Sequence, residues 1–186
     1  MPRARQDRSA SYMSDLHPTE ILLSAAQIEK RIVELAAEIR RDSPGDLHVV
    51  AVLKGAFMFL SDLVRQMSGS VSLDFMAVSS YAKGTTTSGE VRVLKDLDTS
   101  LDGRHVLIVE DIVDTGLTLA YLQEILRARN PKSLRTACLL SKPSRRLTDV
   151  KVDYIGFTIE DKFVVGYGLD YAEQYRNLPH IAVIKS

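Results

Sequence analysis

Three features that mark specialised classes of protein are missing from this sequence. A single cysteine, Cys138, stands among 186 residues, so an intrachain disulfide is impossible and a reducing compartment such as the cytoplasm is favoured. No run approaches the roughly 18 apolar residues that are needed to span a bilayer. The N-terminal region carries arginines but no apolar segment, which argues against a signal peptide. We therefore expect a cytoplasmic protein without a membrane partner.

An excess of charge of either sign is also missing. The chain has 24 lysines and arginines against 24 aspartates and glutamates, whereas dedicated nucleic-acid binders are usually strongly basic. Hydrophobic residues make up 45% and charged residues 26% of the sequence, which is ordinary for a globular protein with one core. We expect a disordered tail over residues 1–18, a single domain over 19–186, and no nucleic-acid partner.

Helix-like and strand-like segments alternate along the chain. Ser24 and Gln27 have the spacing of a capping box at a helix start. The strand-like runs are mostly apolar, a pattern typical of strands buried on both faces of a parallel sheet. Helices are predicted over 25–41, 56–67 and 115–129, and strands over 48–53, 71–79, 91–94, 105–109, 133–140, 152–158 and 181–185. The pattern predicts an α/β fold with a parallel sheet, with Cys138 as an inert packing residue.

The most informative segment is an acidic turn that follows an apolar strand. Glu110 and Asp111 come directly after the strand, and residues 114–118, Asp-Thr-Gly-Leu-Thr, lead into a helix. Ligands of open α/β sheets bind beyond the carboxyl ends of strands. Free N–H groups at a helix start suit a phosphate, while ionised carboxylates suit sugar hydroxyls or hydrated Mg²⁺. The plainer alternative is an ordinary helix cap by Asp114 beside two solvated carboxylates.

This segment resembles the signature of the type I phosphoribosyltransferases, in which a strand is followed by two acidic residues and then Asp-Thr-Gly-x-Thr. The resemblance implies a Rossmann-like core with a small hood formed by the terminal segments. It also implies that Glu110 and Asp111 bind the ribose hydroxyls, and that Asp114 is the general acid/base facing N7 of a purine. The 5′-phosphate would be held by the backbone of Asp114, Thr115, Gly116, Leu117 and Thr118.

Other segments resemble the hypoxanthine-guanine branch of that family. Residues 53–57, Leu-Lys-Gly-Ala-Phe, are similar to its pyrophosphate loop, which implies a cis peptide bond before Lys54 and pyrophosphate contacts from Lys54 and Gly55. Arg176 matches a further pyrophosphate contact. Ser80 and Tyr81 open a polar segment that is similar to the mobile lid, whose closure would exclude water. The plain alternatives are a solvated strand-end lysine and an idle surface loop.

Two further matches imply the purine end of the site. Lys142 follows a predicted strand and matches the lysine that donates to O6 of the base. Its ammonium has donors only, so it favours a 6-oxo group over the 6-amino group of adenine. Within residues 160–171, the resemblance makes Phe163 the ring that stacks on the purine and Val164 the backbone that reads its edge. The plain alternatives are a surface lysine and a core aromatic.

Together these matches imply a purine-salvage enzyme that uses Mg²⁺. It would transfer 5-phosphoribosyl from phosphoribosyl pyrophosphate to hypoxanthine or guanine, giving IMP or GMP and pyrophosphate, as a homo-oligomer (dimer or tetramer). Asp170 would hold Mg²⁺ on the pyrophosphate, and Glu110 and Asp111 are further candidate metal ligands. Glu160 stands where many relatives have proline, which implies a slight shift of the loop backbone with the contacts left intact. An RNA-binding regulator on the same fold and a xanthine-preferring enzyme remain as alternatives.

Overall fold

A computed structural model describes residues 18–80 and 91–184 of the chain, apart from the side chain of Ser80. The elements within these ranges are, in chain order, β1 (Pro18–Leu23), α1 (Ala25–Asp42), β2 (Leu47–Leu53), α2 (Phe57–Arg65), β3 (Val71–Ser80), β4 (Val91–Lys95), β5 (His105–Val113), α3 (Leu117–Arg127), β6 (Ser133–Ser141), β7 (Tyr154–Thr158), β8 (Val164–Val165) and β9 (Ile181–Ile184). A short 3₁₀ turn covers Pro143–Arg145. None of the helices in the described ranges is long and apolar enough to cross a membrane.

A six-stranded sheet in the order β4-β3-β2-β5-β6-β7 forms the centre of the fold. The five strands from β3 to β7 in that order are parallel, and β4 pairs antiparallel with β3 at the edge. Helical connections between parallel strands place helices on both faces of such a sheet. The predicted α/β fold with a parallel sheet is confirmed.

Alternate residues of the central strands face two different helical layers. Val49 and Ala51 of β2 pack in the core cluster that contains the apolar faces of α1 and α2. Val50 and Val52 pack in the cluster that contains the apolar face of α3. Cys138 of β6 lies fully buried in this second cluster, and burial raises the pKa of its thiol to about 12. This agrees with the inert packing role expected from the sequence.

The first helix begins as the capping pattern predicts. The Ser24 hydroxyl accepts the Gln27 N–H at 3.3 Å, and the Ser24 N–H donates to Oε1 of Gln27 at 2.9 Å. These two bonds satisfy backbone donors that the first turn of a helix leaves free. The predicted 25–41 helix ends one residue later than expected, at Asp42.

A second, smaller sheet is built from the two ends of the described chain. Its order is β1-β9-β8, all antiparallel, which corresponds to the hood implied by the resemblance. Neither β1 nor β8 was predicted. Pro18, which the sequence assigned to the tail, is the first residue of β1, and residues 1–17 lie outside the described part of the chain.

The main boundary error concerns the acidic segment itself. The strand predicted over 105–109 continues to Val113, because its backbone goes on pairing with β6 as far as Val113 and Ser141. The two carboxylates therefore lie within the strand and not after it. The helix predicted from residue 115 begins at Leu117, since Gly116 has a left-handed φ of +84° that a helix cannot continue through.

Candidate active site

The predicted site residues meet at one edge of the central sheet. The parallel strands β2, β5 and β6 all end there. Lys54 follows β2, Glu110 and Asp111 lie near the end of β5, and Lys142 follows β6. Because ligands of open parallel sheets bind beyond the carboxyl ends of strands, this edge is the expected place for a site.

The acidic pair is held in an unusual environment for carboxylates. Glu110 is 6% exposed, and burial raises its pKa well above its ordinary value, with a further rise from the charge of Asp111. Burial also raises the pKa of Asp111, to about 6, although the Ile112 N–H donates to its Oδ1 at 2.7 Å. A hydroxyl donor or a cation arriving beside these carboxylates would stabilise their charged forms.

The turn after β5 forms a small cradle. Val52 and the segment between Glu110 and Leu119 line a cavity of about 210 Å³. A Cβ atom at Gly116 would lie 2.9 Å from Cγ1 of Val150, so the turn leaves no room for a side chain at this position. The backbone N–H groups at the start of α3, of which that of Leu117 donates to the Thr115 hydroxyl at 3.4 Å, are suited to a phosphate.

Arg146, in the connection between β6 and β7, holds this turn in place by hydrogen bonds. Its Nη1 donates to the carbonyls of Val113 and Asp114, and its Nη2 donates to the Ser141 hydroxyl at 2.9 Å. Two backbone bonds add to this brace, since the Lys142 N–H donates to the Val113 carbonyl and the Leu147 N–H to the Thr115 carbonyl. The cradle and the segment that carries Lys142 therefore form one hydrogen-bonded unit.

A chain of charged side chains joins the predicted acid/base to the predicted purine lysine. Nε of Arg145 donates to Oδ1 of Asp114 at 3.1 Å, and Nη1 of Arg145 lies 3.5 Å from Asp161. Asp161 in turn lies 3.6 Å from Nζ of Lys142, whose side chain is buried. Asp114 and Lys142 thus face the same region, where both could contact one purine ring.

The predicted pyrophosphate loop is packed against Asp111 of the acidic pair. The peptide bond between Leu53 and Lys54 is cis, as the resemblance implied. A Cβ atom at Gly55 would lie 1.6 Å from Oδ2 of Asp111, and one at Gly168 would lie 2.1 Å from the Gly55 carbonyl oxygen. Gly55 therefore fits between Asp111 on one side and Gly168 on the other.

Arg176 contacts the Gly168 segment, which packs against this loop. Its Nη1 donates to the Gly168 carbonyl at 2.8 Å, and its Nη2 lies 2.8 Å from Oδ1 of Asp170. Glu173 links the two predicted pyrophosphate cations, because its carboxylate lies 2.9 Å from Nζ of Lys54 and 3.3 Å from Nη2 of Arg176. Lys54, Gly55, Asp170 and Arg176 are thus brought together.

The aromatic ring that was predicted to stack on a purine is exposed. Phe163 is 54% exposed, and its ring stands edge-on to that of Tyr171 with centroids 5.7 Å apart. Val164 follows it in β8 and pairs with Val183 of β9, which fixes the backbone beside the ring. A large apolar ring left in solvent at a site edge is suited to stacking on a planar ligand.

The remaining predictions concern the lid and the metal ion. The lid residue Tyr81 and the side chain of Ser80 lie outside the described residues, although the Ser80 backbone pairs with Val91 at the site edge of the sheet. In residues 18–80 and 91–184, no group of three or more acidic, histidine or cysteine side chains forms a metal cluster. The hard oxygen donors of Asp170, Glu110 and Asp111 fit Mg²⁺, which is commonly held by one or two carboxylates together with substrate phosphates and water.

Sequence reasoning missed Arg145, Arg146 and Glu173. Each lies within four residues of a residue that was identified, which is the only local signal. A larger cavity of about 570 Å³ lies at the opposite end of the sheet, near His48, Arg104 and Lys132. It contains none of the identified residues, so we place the site at the carboxyl edge.

Comparison with known proteins is consistent with this geometry. The family model of the phosphoribosyl transferase domain matches residues 18–172 of this chain. The chain is 50% identical over 167 residues to the hypoxanthine-guanine phosphoribosyltransferase of Bacillus subtilis (strain 168), covering 89% of this chain and 93% of that protein. It is 49% identical over 171 residues to the hypoxanthine phosphoribosyltransferase of Escherichia coli (strain K12), covering 90% and 96%. A crystal structure of a hypoxanthine-guanine phosphoribosyltransferase from Bacillus anthracis matches with a TM-score of 0.87 at 43% identity, covering 92% of this chain and all of that one.

Proposed function

The chain belongs to the phosphoribosyltransferase family, in its hypoxanthine-guanine branch, and on that premise we propose that it transfers 5-phosphoribosyl from phosphoribosyl pyrophosphate to hypoxanthine or guanine. The products are IMP or GMP and pyrophosphate, so the enzyme serves purine salvage. One observation carries the proposal: the turn of residues 114–118 and the cations Lys54 and Arg176 lie near the carboxyl end of the central sheet, with the exposed ring of Phe163 in the segment that follows it. We assign these three parts to the 5′-phosphate, the pyrophosphate and the purine.

The sugar and its leaving group would lie between the acidic pair and the pyrophosphate loop. Glu110 and Asp111 accept hydrogen bonds from the ribose hydroxyls, and the backbone of residues 114–118 binds the 5′-phosphate. Lys54, the Gly55 backbone and Arg176 bind the pyrophosphate. Mg²⁺, held by Asp170 and substrate oxygens, would supply positive charge to the leaving pyrophosphate. This arrangement stabilises charge where the bond from C1′ to pyrophosphate breaks.

The base would bind on the other side of the sugar carbon. Phe163 stacks on the purine, the Val164 backbone contacts its edge, and Lys142 donates to O6. As the C1′–N9 bond forms, the base loses its N7 proton, and the Asp114 carboxylate accepts that proton. Support for this role comes from Arg145, whose Nε donates to Oδ1 of Asp114 at 3.1 Å and so orients the carboxylate.

The reaction is tested by mixing the purified protein with Mg²⁺, phosphoribosyl pyrophosphate and hypoxanthine, guanine, xanthine or adenine in turn. Nucleotide formation from hypoxanthine or guanine, but not from adenine, is expected because Lys142 offers donors only. Product from xanthine at a higher rate than from either would favour the xanthine-preferring alternative. No product from any base would refute the enzyme and direct attention to RNA binding at physiological salt.

The acid/base role predicts a specific defect for Asp114→Asn. Asn keeps the size of the side chain but cannot accept the purine proton, so kcat should fall by roughly 10²–10⁴-fold. The dissociation constant for phosphoribosyl pyrophosphate should change far less, because the backbone of the cradle is unaltered. Turnover equal to that of the wild type would refute the assignment.

The cellular setting follows by analogy with the family. We propose that the protein is a cytoplasmic homo-oligomer, as members of the family commonly are dimers or tetramers. Sedimentation at micromolar concentration measures this directly, and a monomer at that concentration would contradict it.

A further inference from the structure

We propose that Glu173 is an internal counter-anion for Lys54 and Arg176. In the ligand-free enzyme its carboxylate occupies the position of the pyrophosphate group beside these two cations. When pyrophosphate binds, the carboxylate moves away from them. The inference rests on the proposed function and extends it. It assigns Glu173 a role in setting the affinity of this end of the site for pyrophosphate.

Two cations from distant parts of the chain meet on the Glu173 carboxylate. Lys54 follows β2, and Arg176 lies beyond β8. Oε2 of Glu173 lies 2.9 Å from Nζ of Lys54, and Oε1 lies 3.3 Å from Nη2 of Arg176. Each oxygen therefore takes one cation, as two oxygens of a bound pyrophosphate would.

The backbone that presents Glu173 has an uncommon conformation. Ala172, Glu173 and Tyr175 all have left-handed φ values, of +50°, +64° and +73°, a conformation that residues with a Cβ atom rarely adopt. The turn is closed by paired bonds between Tyr171 and Gln174. The Glu173 N–H donates to Oδ2 of Asp170 at 2.9 Å, so the turn that aims Glu173 is anchored on the predicted metal-binding carboxylate.

The ion pair between Glu173 and Lys54 should add little to the stability of the fold. Glu173 is 65% exposed and Lys54 is 67% exposed in the ion pair, and exposed pairs of this kind contribute little to folding. Arg176 also keeps its bonds to Gly168 and Asp170 without Glu173. Removing the Glu173 charge should therefore leave the fold and the position of Arg176 unchanged.

Charge balance gives the functional consequence. Lys54 and Arg176 carry two positive charges, which Asp170 and Glu173 balance in the ligand-free site. Pyrophosphate is strongly anionic, so it must displace Glu173 from the cations before it can bind them. The carboxylate thus competes with the bound product, weakens its hold and favours its release.

The test is calorimetric titration of Mg²⁺-pyrophosphate into the wild type and Glu173→Gln. Gln keeps the length of the side chain but not its charge, so we expect pyrophosphate to bind at least fivefold more tightly to the variant. The affinity for IMP should change by less than twofold, because its phosphate binds at the cradle of residues 114–118. Glu34→Gln, which removes a carboxylate paired with Arg31 on α1, is the matched control and should behave as the wild type.

The outcomes separate the two proposals. Equal or weaker pyrophosphate binding by Glu173→Gln, with normal binding by the wild type, would overturn the counter-anion role and leave the proposed function standing. Weaker binding would instead indicate that Glu173 assists the bound ligand or its metal. Absence of pyrophosphate binding to both proteins would overturn the proposed function and this inference with it.

Discussion

Replacing Gly168 with alanine should disable the pyrophosphate end of the site without touching a ligand contact. Gly168 donates its N–H to the Arg176 carbonyl at 2.9 Å and accepts from Nη1 of Arg176 at 2.8 Å. Its Cα faces the Gly55 carbonyl, and an added Cβ atom would lie 2.1 Å from that oxygen. The substitution therefore acts on the two segments that carry Lys54 and Arg176.

Gly168→Ala should have two separate effects, one on the stability of the fold and one on catalysis. Gly168 has a φ of +99°, and a residue with a side chain held in such a sparsely populated region costs about 1–3 kcal/mol. A close contact between carbon and a carbonyl oxygen is roughly 3.3 Å, so the Gly55 loop must move by about 1.2 Å. A displacement of about 1 Å at a reacting centre lowers the rate by roughly 10²-fold. We expect kcat/KM for phosphoribosyl pyrophosphate to fall by that amount.

A second glycine separates the two effects. Gly103 also has a left-handed φ, of +69°, but a Cβ atom there would meet nothing within 4 Å. Gly103→Ala should lose a similar conformational stability and keep its activity. Denaturant unfolding and steady-state kinetics on both variants test this. Gly168→Ala with kcat/KM within twofold of that of Gly103→Ala would refute the packing argument.

Two other predictions concern the purine lysine and a buried histidine. Lys142→Gln replaces an ammonium with an amide that can also accept a hydrogen bond, so the preference for hypoxanthine over adenine should fall by at least about tenfold in kcat/KM; an unchanged ratio would exclude Lys142 from base selection. Burial, followed by the charge of Arg104, lowers the pKa of His48, so the unfolded chain binds a proton that the folded chain does not, and stability is lost as pH falls below about 6.5. Urea unfolding of the wild type and His48→Asn between pH 7 and 5 should show an additional loss in the wild type of at most about 1.4 kcal/mol per pH unit, and parallel curves would contradict it.

The elements that the sequence predicted are those whose burial has a regular period. The helix after Ser24 was predicted almost to its ends, because a capping box and a helical apolar stripe coincide there. The hood strands β1 and β8 were not predicted. β8 has only two residues, and most residues of β1 are exposed or partly buried, so neither strand has a regular pattern of burial. These strands exist because both pair with β9, and such long-range pairing leaves no local pattern.

The same difference between local patterns and long-range pairing separates the site residues that were predicted from those that were missed. The segment from Glu110 to Thr118 was found because its members are contiguous, so their residue types form one recognisable pattern. Glu173 was missed because its partner Lys54 is 119 residues away. Arg145 was missed for the same reason, since Asp114 precedes it by 31 residues. Apart from their nearness in sequence to predicted site residues, nothing local distinguishes these side chains from ordinary surface charges.

Gly55 shows why even a residue that was identified can have a different physical role. From the sequence, Gly55 was predicted only as a contact for pyrophosphate. In the fold, its φ is not left-handed, and the space where a Cβ would stand is occupied by the Asp111 carboxylate. A glycine that supplies a left-handed turn, as Gly116 does, and one that admits a neighbour look the same in a sequence. Only the fold, by bringing Asp111 and Gly168 against the loop, makes the absence of a side chain at Gly55 a requirement.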